Sequence, residues 1–529
     1  MLHETQVPWL DHDGGSVAAS PRHLAGAVAG SNDGVYINQL VERLGRDADK
    51  PILRYLGRDT AADEFLTMIH RYARALSGIG IGRRKLVALF APNTPDALAI
   101  RYGAHLLGAA TVFLSALAAP ESRAELIADM DPDLLIVFAE TAGLLPQGVK
   151  ARIAAVGIDL PQAALRLDIL AASEPSAPVV SQAHPDDLAV IISSGGTTGV
   201  PKGSWRTFAA YTAMVRPGTA DRRQLVNDRL AYLSQILVDN TLLGGGSVVL
   251  EDSYESADTL AVIEAERITD LFLVEPQLFD LMDHPDVARR DLSSLRSITH
   301  IGASAPPILR RRARERLGPI IAHTYGASEM GIVSALSPRE QDPARPETFA
   351  CSGRVLPGVE IRFRRSGGTL AAPGEIGSIE VRSPAVAGGY RNRPDLEARA
   401  FKGGWYRSGD LGFIDRDGWL NVLGRAVDIT WIDGVMVSPT VIEDALCERS
   451  DVRYAVVVVD ADKARWIAAV VPWPGSEIDP AGCRELVTRR FHAAPIVVVE
   501  VASMPLTEQG KPDREAIRRL GERAGHPAS

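Results

Sequence analysis

The chain has 529 residues, 46% hydrophobic and 23% charged, with 57 Lys and Arg against 66 Asp and Glu for a net charge of −9. That composition excludes a disordered, collagenous or coiled-coil chain, and no basic domain footprint points to nucleic acid. At ~150 residues per domain the length suggests two to four folding units.

Residues 1–34 mix Gly, Ala, Ser, Asp and Pro without a period and read as an N-terminal arm. The N-terminus lacks a long apolar stretch, so no signal peptide is read. From Val35 the pattern becomes regular. Helix is predicted over residues 35–44, a short strand over 51–55 and an amphipathic helix over 66–76. A buried strand over 86–90 stops at Ala91-Pro92-Asn93, a helix follows over 95–107, and a strand over 111–114. The rhythm returns in strands at 134–138, 188–192, 248–250, 270–274, 297–302 and 320–323. Strands alternating with helices predict an α/β unit with parallel sheets.

After residue ~350 short β-rich pieces separated by Gly and Pro predict a β subdomain. The tail predicts a helix at 439–448, strands at 452–459 and 466–471, a helix at 483–491, a strand at 496–501 and a last helix at 514–523. The expected organisation is therefore an arm at 1–34, a large domain at 35–425 and a small α+β lid at 426–529. Arg310, Arg311, Arg312, Arg314 and Arg316 read as a solvated helix face. Cys351, Cys447 and Cys483 are too scattered for a disulfide framework or a paired-cysteine metal site. No eighteen-residue apolar run exists, so a soluble cytoplasmic protein without a membrane span is expected. His105, His300 and His323 sit near apolar runs and read as packed residues rather than ligands.

The most informative stretch is SSGGTTGVPKG, residues 193–203, which follows an apolar strand. Its small residues let backbone N–H groups approach an anion. Ser193, Ser194, Thr197 and Thr198 add hydroxyl donors, and Lys202 adds a charge. Gly195, Gly196 and Gly199 complete a phosphate cradle. It is not a Walker A loop, because Pro201 precedes Lys202 and Gly199 stands three residues before it.

This loop resembles the phosphate loop of the adenylate-forming enzymes, the superfamily of acyl-CoA synthetases, aryl-CoA ligases, nonribosomal-peptide adenylation domains and luciferase. The resemblance runs over roughly residues 35–520. Tyr325-Gly326-Ala327-Ser328-Glu329 resembles the family's YGxTE element, with Ser328 where relatives usually have Thr. It implies a purine-stacking face on Tyr325, a hydroxyl for phosphate on Ser328 and a Mg²⁺ ligand in Glu329. Gly302-Ala303-Ser304 is similar to segments that line the adenine and acid pockets. Trp405 through Asp410 resembles the family's WxxTGD element, which implies that Asp410 accepts the ribose hydroxyls. Gly424-Arg425 resembles the Gly-Arg that closes the large domain, with Arg425 near ribose or phosphate. Residues 505–514 resemble the C-terminal PLTxxGKxDR, and Lys511 would bridge acid and α-phosphate as charge develops.

Two departures stand out. In the stretch after the hinge, Val427 replaces the usual Lys or Asp pivot and Val441 the usual Glu. A β-branched apolar hinge residue has no side-chain hydrogen bond to offer as the lid rotates. The segment leading to the acid pocket is short and polar, with Gln235, Asp239 and Asn240 as candidate pocket residues. Solvent-facing helix positions remain the alternative. A small, polar or aryl acid is expected over a long aliphatic one.

The resemblance implies ATP and Mg²⁺ as cosubstrate and metal, with Lys511, Glu329 and Lys202 as catalytic groups. A small-molecule acid would be adenylated with release of pyrophosphate, then passed to a thiol of CoA or phosphopantetheine. The alternative is a stand-alone enzyme serving a carrier protein or an amine, including nitrite activation for an aryl amine. A nucleotide-binding protein without catalysis is the third reading, opposed by intact Lys202, Glu329, Asp410, Arg425 and Lys511.

Overall fold

The computed structural model describes residues 34–116, 119–194, 202–301, 306–432, 435–460, 465–491 and 495–524. The expected arm therefore lies outside the described residues, as do Gly195, Gly196, Thr197, Thr198 and Gly199 of the phosphate loop and Gly302, Ala303 and Ser304.

Two large sheets form the body. The first has eight strands, in the order Gly389–Tyr390, Lys202–Thr207, Leu188–Ser194, Ala110–Phe113, Leu86–Phe90, Leu134–Phe138, Ile153–Val156 and Leu165–Arg166. Its central strands are parallel, and Leu86–Phe90 and Leu134–Phe138 are buried at every position. That explains their continuous apolar sequence, since helices cover both faces of a parallel sheet. The second sheet has nine strands and carries the parallel run Asp270–Val274, Ser297–Ile301, Ile321–Ala327. A five-stranded, largely antiparallel sheet follows, built around Trp405–Ile414.

The helix Pro95–Leu106 is buried from Ala97 onward. A helix enclosed on all sides is normally apolar all round. Arg101 in its middle therefore has to be neutralised locally. Asp239 supplies the partner, from the helix Gln235–Gly244, with two oxygens each 2.8 Å from the guanidinium.

The smaller α+β domain has a three-stranded sheet, Val452–Asp460, Arg465–Pro472 and Ile496–Glu500, with helices Pro439–Cys447, Pro480–Phe491 and Arg514–Ala524. One apolar cluster runs from Leu278, Phe279 and Leu309 of the body into Ile442, Leu446 and Tyr454 of this domain. Phe279 and Tyr454 meet with ring centroids 5.2 Å apart.

The arginine-rich helix departs from its expected solvated face. On Pro307–Leu317, Arg310 is buried and donates to the Cys351 carbonyl at 3.0 Å. Arg312 pairs with Asp283 at 2.8 Å, and Arg312 and Arg316 both lie over the Trp473 ring. Their stems and planes pack the body against the small domain, which long cationic side chains do well. His105, His300 and His323 are buried, as the sequence predicts. Among the described residues no helix is long and apolar enough to cross a membrane.

Candidate active site

A cleft of about 350 Å³ lies where the sheets and the small domain meet. Strand Leu188–Ser194 ends at it and strand Lys202–Thr207 starts from it, with Ser194 opposite Lys202 in register. Residues 195–201 therefore link two antiparallel neighbours of one sheet. Ser193 is buried and donates weakly to the Phe113 carbonyl at 3.5 Å. The Lys202 ammonium stands 5.4 Å from the centre of the Tyr390 ring.

Strand Ile321–Ala327 brings Tyr325, Gly326 and Ala327 to the cleft, and Ser328 and Glu329 follow in the turn. A Cβ on Gly326 would stand 2.4 Å from the Gly331 carbonyl, so this turn requires glycine. Glu329 is nearly buried. It accepts from the Tyr390 hydroxyl at 2.9 Å and from the Ser328 hydroxyl at 2.8 Å, one on each oxygen. Each oxygen keeps a further lone pair for a ligand. Among the described residues no group of three His, Cys, Asp or Glu side chains is placed to hold a metal. One carboxylate beside phosphate oxygens is the arrangement Mg²⁺ ordinarily takes.

Asp410 and Arg425 face each other across strands Trp405–Ile414 and Leu420–Arg425. The Arg425 Nε is 3.3 Å from Asp410 Oδ1, and the Tyr325 hydroxyl donates to Oδ2 at 2.6 Å. Arg425 also donates to the Ser408 carbonyl at 2.8 Å. Burial raises the Asp410 carboxyl above the usual range, against the pull of Arg425 and Tyr325.

Lys511 reaches this cleft from the small domain. Loss of water holds its ammonium below the usual lysine value, while Glu329 and Asp228 pull it back up. Its loop is a tight turn, with Thr507 N–H donating to the Lys511 carbonyl at 2.7 Å. Gly510 has φ +71°, and a Cβ there would sit 3.1 Å from Val274 and 3.3 Å from Gln277. Glycine thus lets the turn both adopt the left-handed region and press against the body. Glu508 anchors it, accepting from the Ala116 N–H at 2.5 Å and standing 3.7 Å from Arg229.

A second cavity, about 140 Å³, adjoins the cleft, and Leu233, Phe272 and Ile301 line both. Asn240 lines it; Gln235 and Asp239 do not. The Gln235 amide donates to the carbonyls of Leu230 and Tyr232. Asp239 is fully buried behind the cavity, held by Arg101 and by the hydroxyls of Tyr102 and Tyr211. It is therefore neither a pocket residue nor a solvent-facing one.

Several site residues escape sequence reasoning. Tyr390 has a faint signal in Gly388-Gly389 before it, where Cβ atoms would strike Trp205 and Glu397. Arg206 is buried and donates to the Ser328 carbonyl at 2.6 Å and the Ala385 carbonyl at 2.8 Å, fixing the Tyr325–Glu329 turn. Asp228, facing Lys511, is pushed up to about 6 by burial. Neither position carries a pattern of its own.

The paired α/β sheets, the Tyr325–Glu329 and Asp410–Arg425 groups and Lys511 entering from the small domain are the features of an adenylate-forming enzyme. Residues 40–391 match the AMP-binding enzyme family, and the chain belongs to that family. The amide bond synthetase McbA from Marinactinospora thermotolerans is 32% identical, with a TM-score of 0.81 covering 92% of this chain and 99% of its own. The medium/long-chain-fatty-acid–CoA ligase FadD8 of Mycobacterium tuberculosis is 31% identical across 92% of this chain and 90% of its own. The indoleacetate–CoA ligase of Aromatoleum aromaticum is 31% identical across 90% of this chain and 96% of its own. The chain is an adenylate-forming ligase that makes an acyl-adenylate from a carboxylic acid and ATP.

Proposed function

We propose that the acid is a single-ring aryl carboxylic acid and that its acyl group passes to the thiol of CoA. The size of the cavity beside the cleft carries this reading. A cavity of about 140 Å³ is on the scale of the ~150 Å³ engineered cavity that takes benzene. It suits a ring better than a medium or long alkyl chain. The curated relatives point both ways, one named for indoleacetate and another for fatty acids, and the volume favours the ring.

In the mechanism this supports, the acid's carboxylate oxygen attacks the α-phosphorus of ATP in line, and pyrophosphate leaves from the opposite side. Ser193, Ser194, Lys202 and the loop 195–199 hold the phosphates. Ser328 offers its hydroxyl to phosphate, the Tyr325 ring stacks on the purine, and Asp410 takes the ribose hydroxyls on its remaining lone pairs. Arg425 orients Asp410. Glu329 would hold Mg²⁺, which when bound neutralises phosphate charge. Lys511 stabilises the charge that grows on the α-phosphate as the new bond forms. The small domain, taken as residues 426–529, closes the cleft so that water does not reach the mixed anhydride. A thiol sulfur then attacks the acyl carbon and AMP departs. The cytoplasm, with its reduced thiols, is the setting that fits three buried free cysteines.

The likeness to an amide bond synthetase favours one second reading, in which an amine replaces the thiol. Pyrophosphate release from MgATP separates these readings. The panel spans acetate to palmitate, benzoates, cinnamates, amino acids and nitrite, with CoA, with an amine or with neither. Benzoates alone responding, with acyl-CoA formed, is the expected result. Response to palmitate or to nitrite alone would overturn the aryl acid, and amide without acyl-CoA would move the acceptor to the amine.

A further inference from the structure

The lining of the acid cavity includes a cation. Arg216 lines the cavity, is half-buried, and its guanidinium has no hydrogen bond or ion pair among the described residues. The described residues lining the cavity include no Asp or Glu and are mostly apolar. A charge lodged beside an apolar cavity without a partner is costly, so such groups are normally paired. Elsewhere in this body such guanidiniums have partners, Arg101 and Arg312 in Asp239 and Asp283, and Arg206 and Arg310 in backbone carbonyls.

Asn240 stands beside it and is independently informative. It is 4% exposed and its Oδ1 accepts the Arg216 N–H at 2.7 Å. That bond fixes the amide orientation, leaving Nδ2 as the free end. Nδ2 has no partner among the described residues, and Asn240 lines the same cavity. A guanidinium and an amide NH₂ thus share one wall, both donors.

Neither group serves the reacting carboxylate. Lys511 lines the cleft and not this cavity, while Arg216 and Asn240 line the cavity and not the cleft. The junction is Leu233, Phe272 and Ile301. A ring held in the cavity with its reacting carboxylate in the cleft would have the donors among its neighbours, away from Lys511.

We propose that Arg216, with Asn240, selects a single-ring aryl acid bearing a second carboxylate at the ring position away from the reacting one. This rests on the single-ring reading above. The donor set matches a carboxylate well, because a guanidinium binds one through two parallel N–H bonds.

The test compares matched pairs, benzoate against its 3- and 4-carboxy derivatives and phenylacetate against its 4-carboxy derivative. Pyrophosphate release gives kcat/KM for each with wild type, Arg216→Met and Arg216→Lys. Wild type is expected to prefer the dicarboxylic member at least ~10-fold, the discrimination a paired charge gives when its loss strands the other group. Arg216→Met should lower that preference ratio at least tenfold, and Arg216→Lys should keep part of it. A wild type that prefers the unsubstituted acids, or a ratio unchanged in Arg216→Met, would overturn the assignment while the single-ring reading stands. Silence with both members of every pair would overturn the single-ring reading, and the assignment with it.

Discussion

The cleft and the cavity beside it are built on opposite plans. The motif-bearing residues described in the cleft sit on strands, in the turn after one or on the Thr507–Lys511 turn, so short contiguous stretches deliver its chemistry. The cavity takes its walls from side chains spread between Ala213 and Ala385, with no two adjacent motif positions among its polar groups. Its shape is held from behind by a buried network rather than by its own lining. In the proposed mechanism the cleft handles the part of the reaction that is the same for any acid, whereas the cavity has to fit one acid. A sequence therefore announces the first and conceals the second.

The largest effect expected lies behind the cavity. Asp239→Ala leaves the Arg101 guanidinium buried among Tyr36, Tyr102 and Tyr211 without its counterion. Removing one partner of a buried pair costs ~3–5 kcal/mol. Urea unfolding should show that loss. The double variant Arg101→Met, Asp239→Leu should recover much of it, because replacing both charges removes the orphan. If Asp239 instead met the acid, its variant would raise the KM for acid with stability intact, and the contrast drawn between the two regions would fail.

Lys511→Ala comes next and acts on the cleft alone. Loss of a charge that stabilises the transferring phosphoryl group should lower acyl-adenylate formation ~100–1,000-fold. Transfer from a supplied acyl-adenylate to CoA should persist, since that step breaks the acyl carbon–oxygen bond and forms no bond at the α-phosphorus. Equal loss of both half-reactions would show that Lys511 holds the domains together rather than serving the chemistry.

Much of this was legible beforehand for physical reasons. Strands such as Leu86–Phe90 and Asp270–Val274 are short apolar runs closed by turn residues, and they end where the pattern says. Lys511, Glu329, Asp410 and Arg425 meet in one cleft, and each stands in a short contiguous motif. Asp239 misled, since a lone carboxylate in a polar segment gives no hint that an arginine 138 residues earlier will bury it. The arginines of Pro307–Leu317 misled for the same reason. Their partners, Asp283 and Trp473, come from other elements and one of them from another domain. Periodicity reports which face is apolar; it is silent on which charges a neighbouring domain will cover.

The smallest effect concerns how the small domain sits on the cleft. Glu275 begins a body helix and is buried against that domain, where the Tyr454 hydroxyl donates to it at 3.4 Å. Glu443 and Arg514 face it from the small domain and Arg310 from the body helix. Burial first, and then the nearby Glu443, push the Glu275 carboxyl from an ordinary 4.5 up to about 8. Burial likewise pushes Glu443 up to about 7, though Arg514 and the Val457 N–H oppose it. At neutral pH the Glu275 carboxyl is therefore mostly protonated in the native protein and Glu443 about half so, while the unfolded chain has already lost those protons. Where the folded state holds more protons, stability falls as pH rises. For Glu275 the window runs from 4.5 to about 8, and stability is fully present below it. Between pH 7 and 8 this group alone should cost ~1 kcal/mol, close to the ceiling of ~1.4 kcal/mol per unit for one proton. Glu275→Gln keeps the Tyr454 contact and carries no titrating proton, so its unfolding midpoint should change less over that interval than wild type does. Parallel slopes would show that Glu275 titrates alike in the folded and unfolded chain, and the apolar seam, the Trp473 stack and Glu508 would then seat the domain without it.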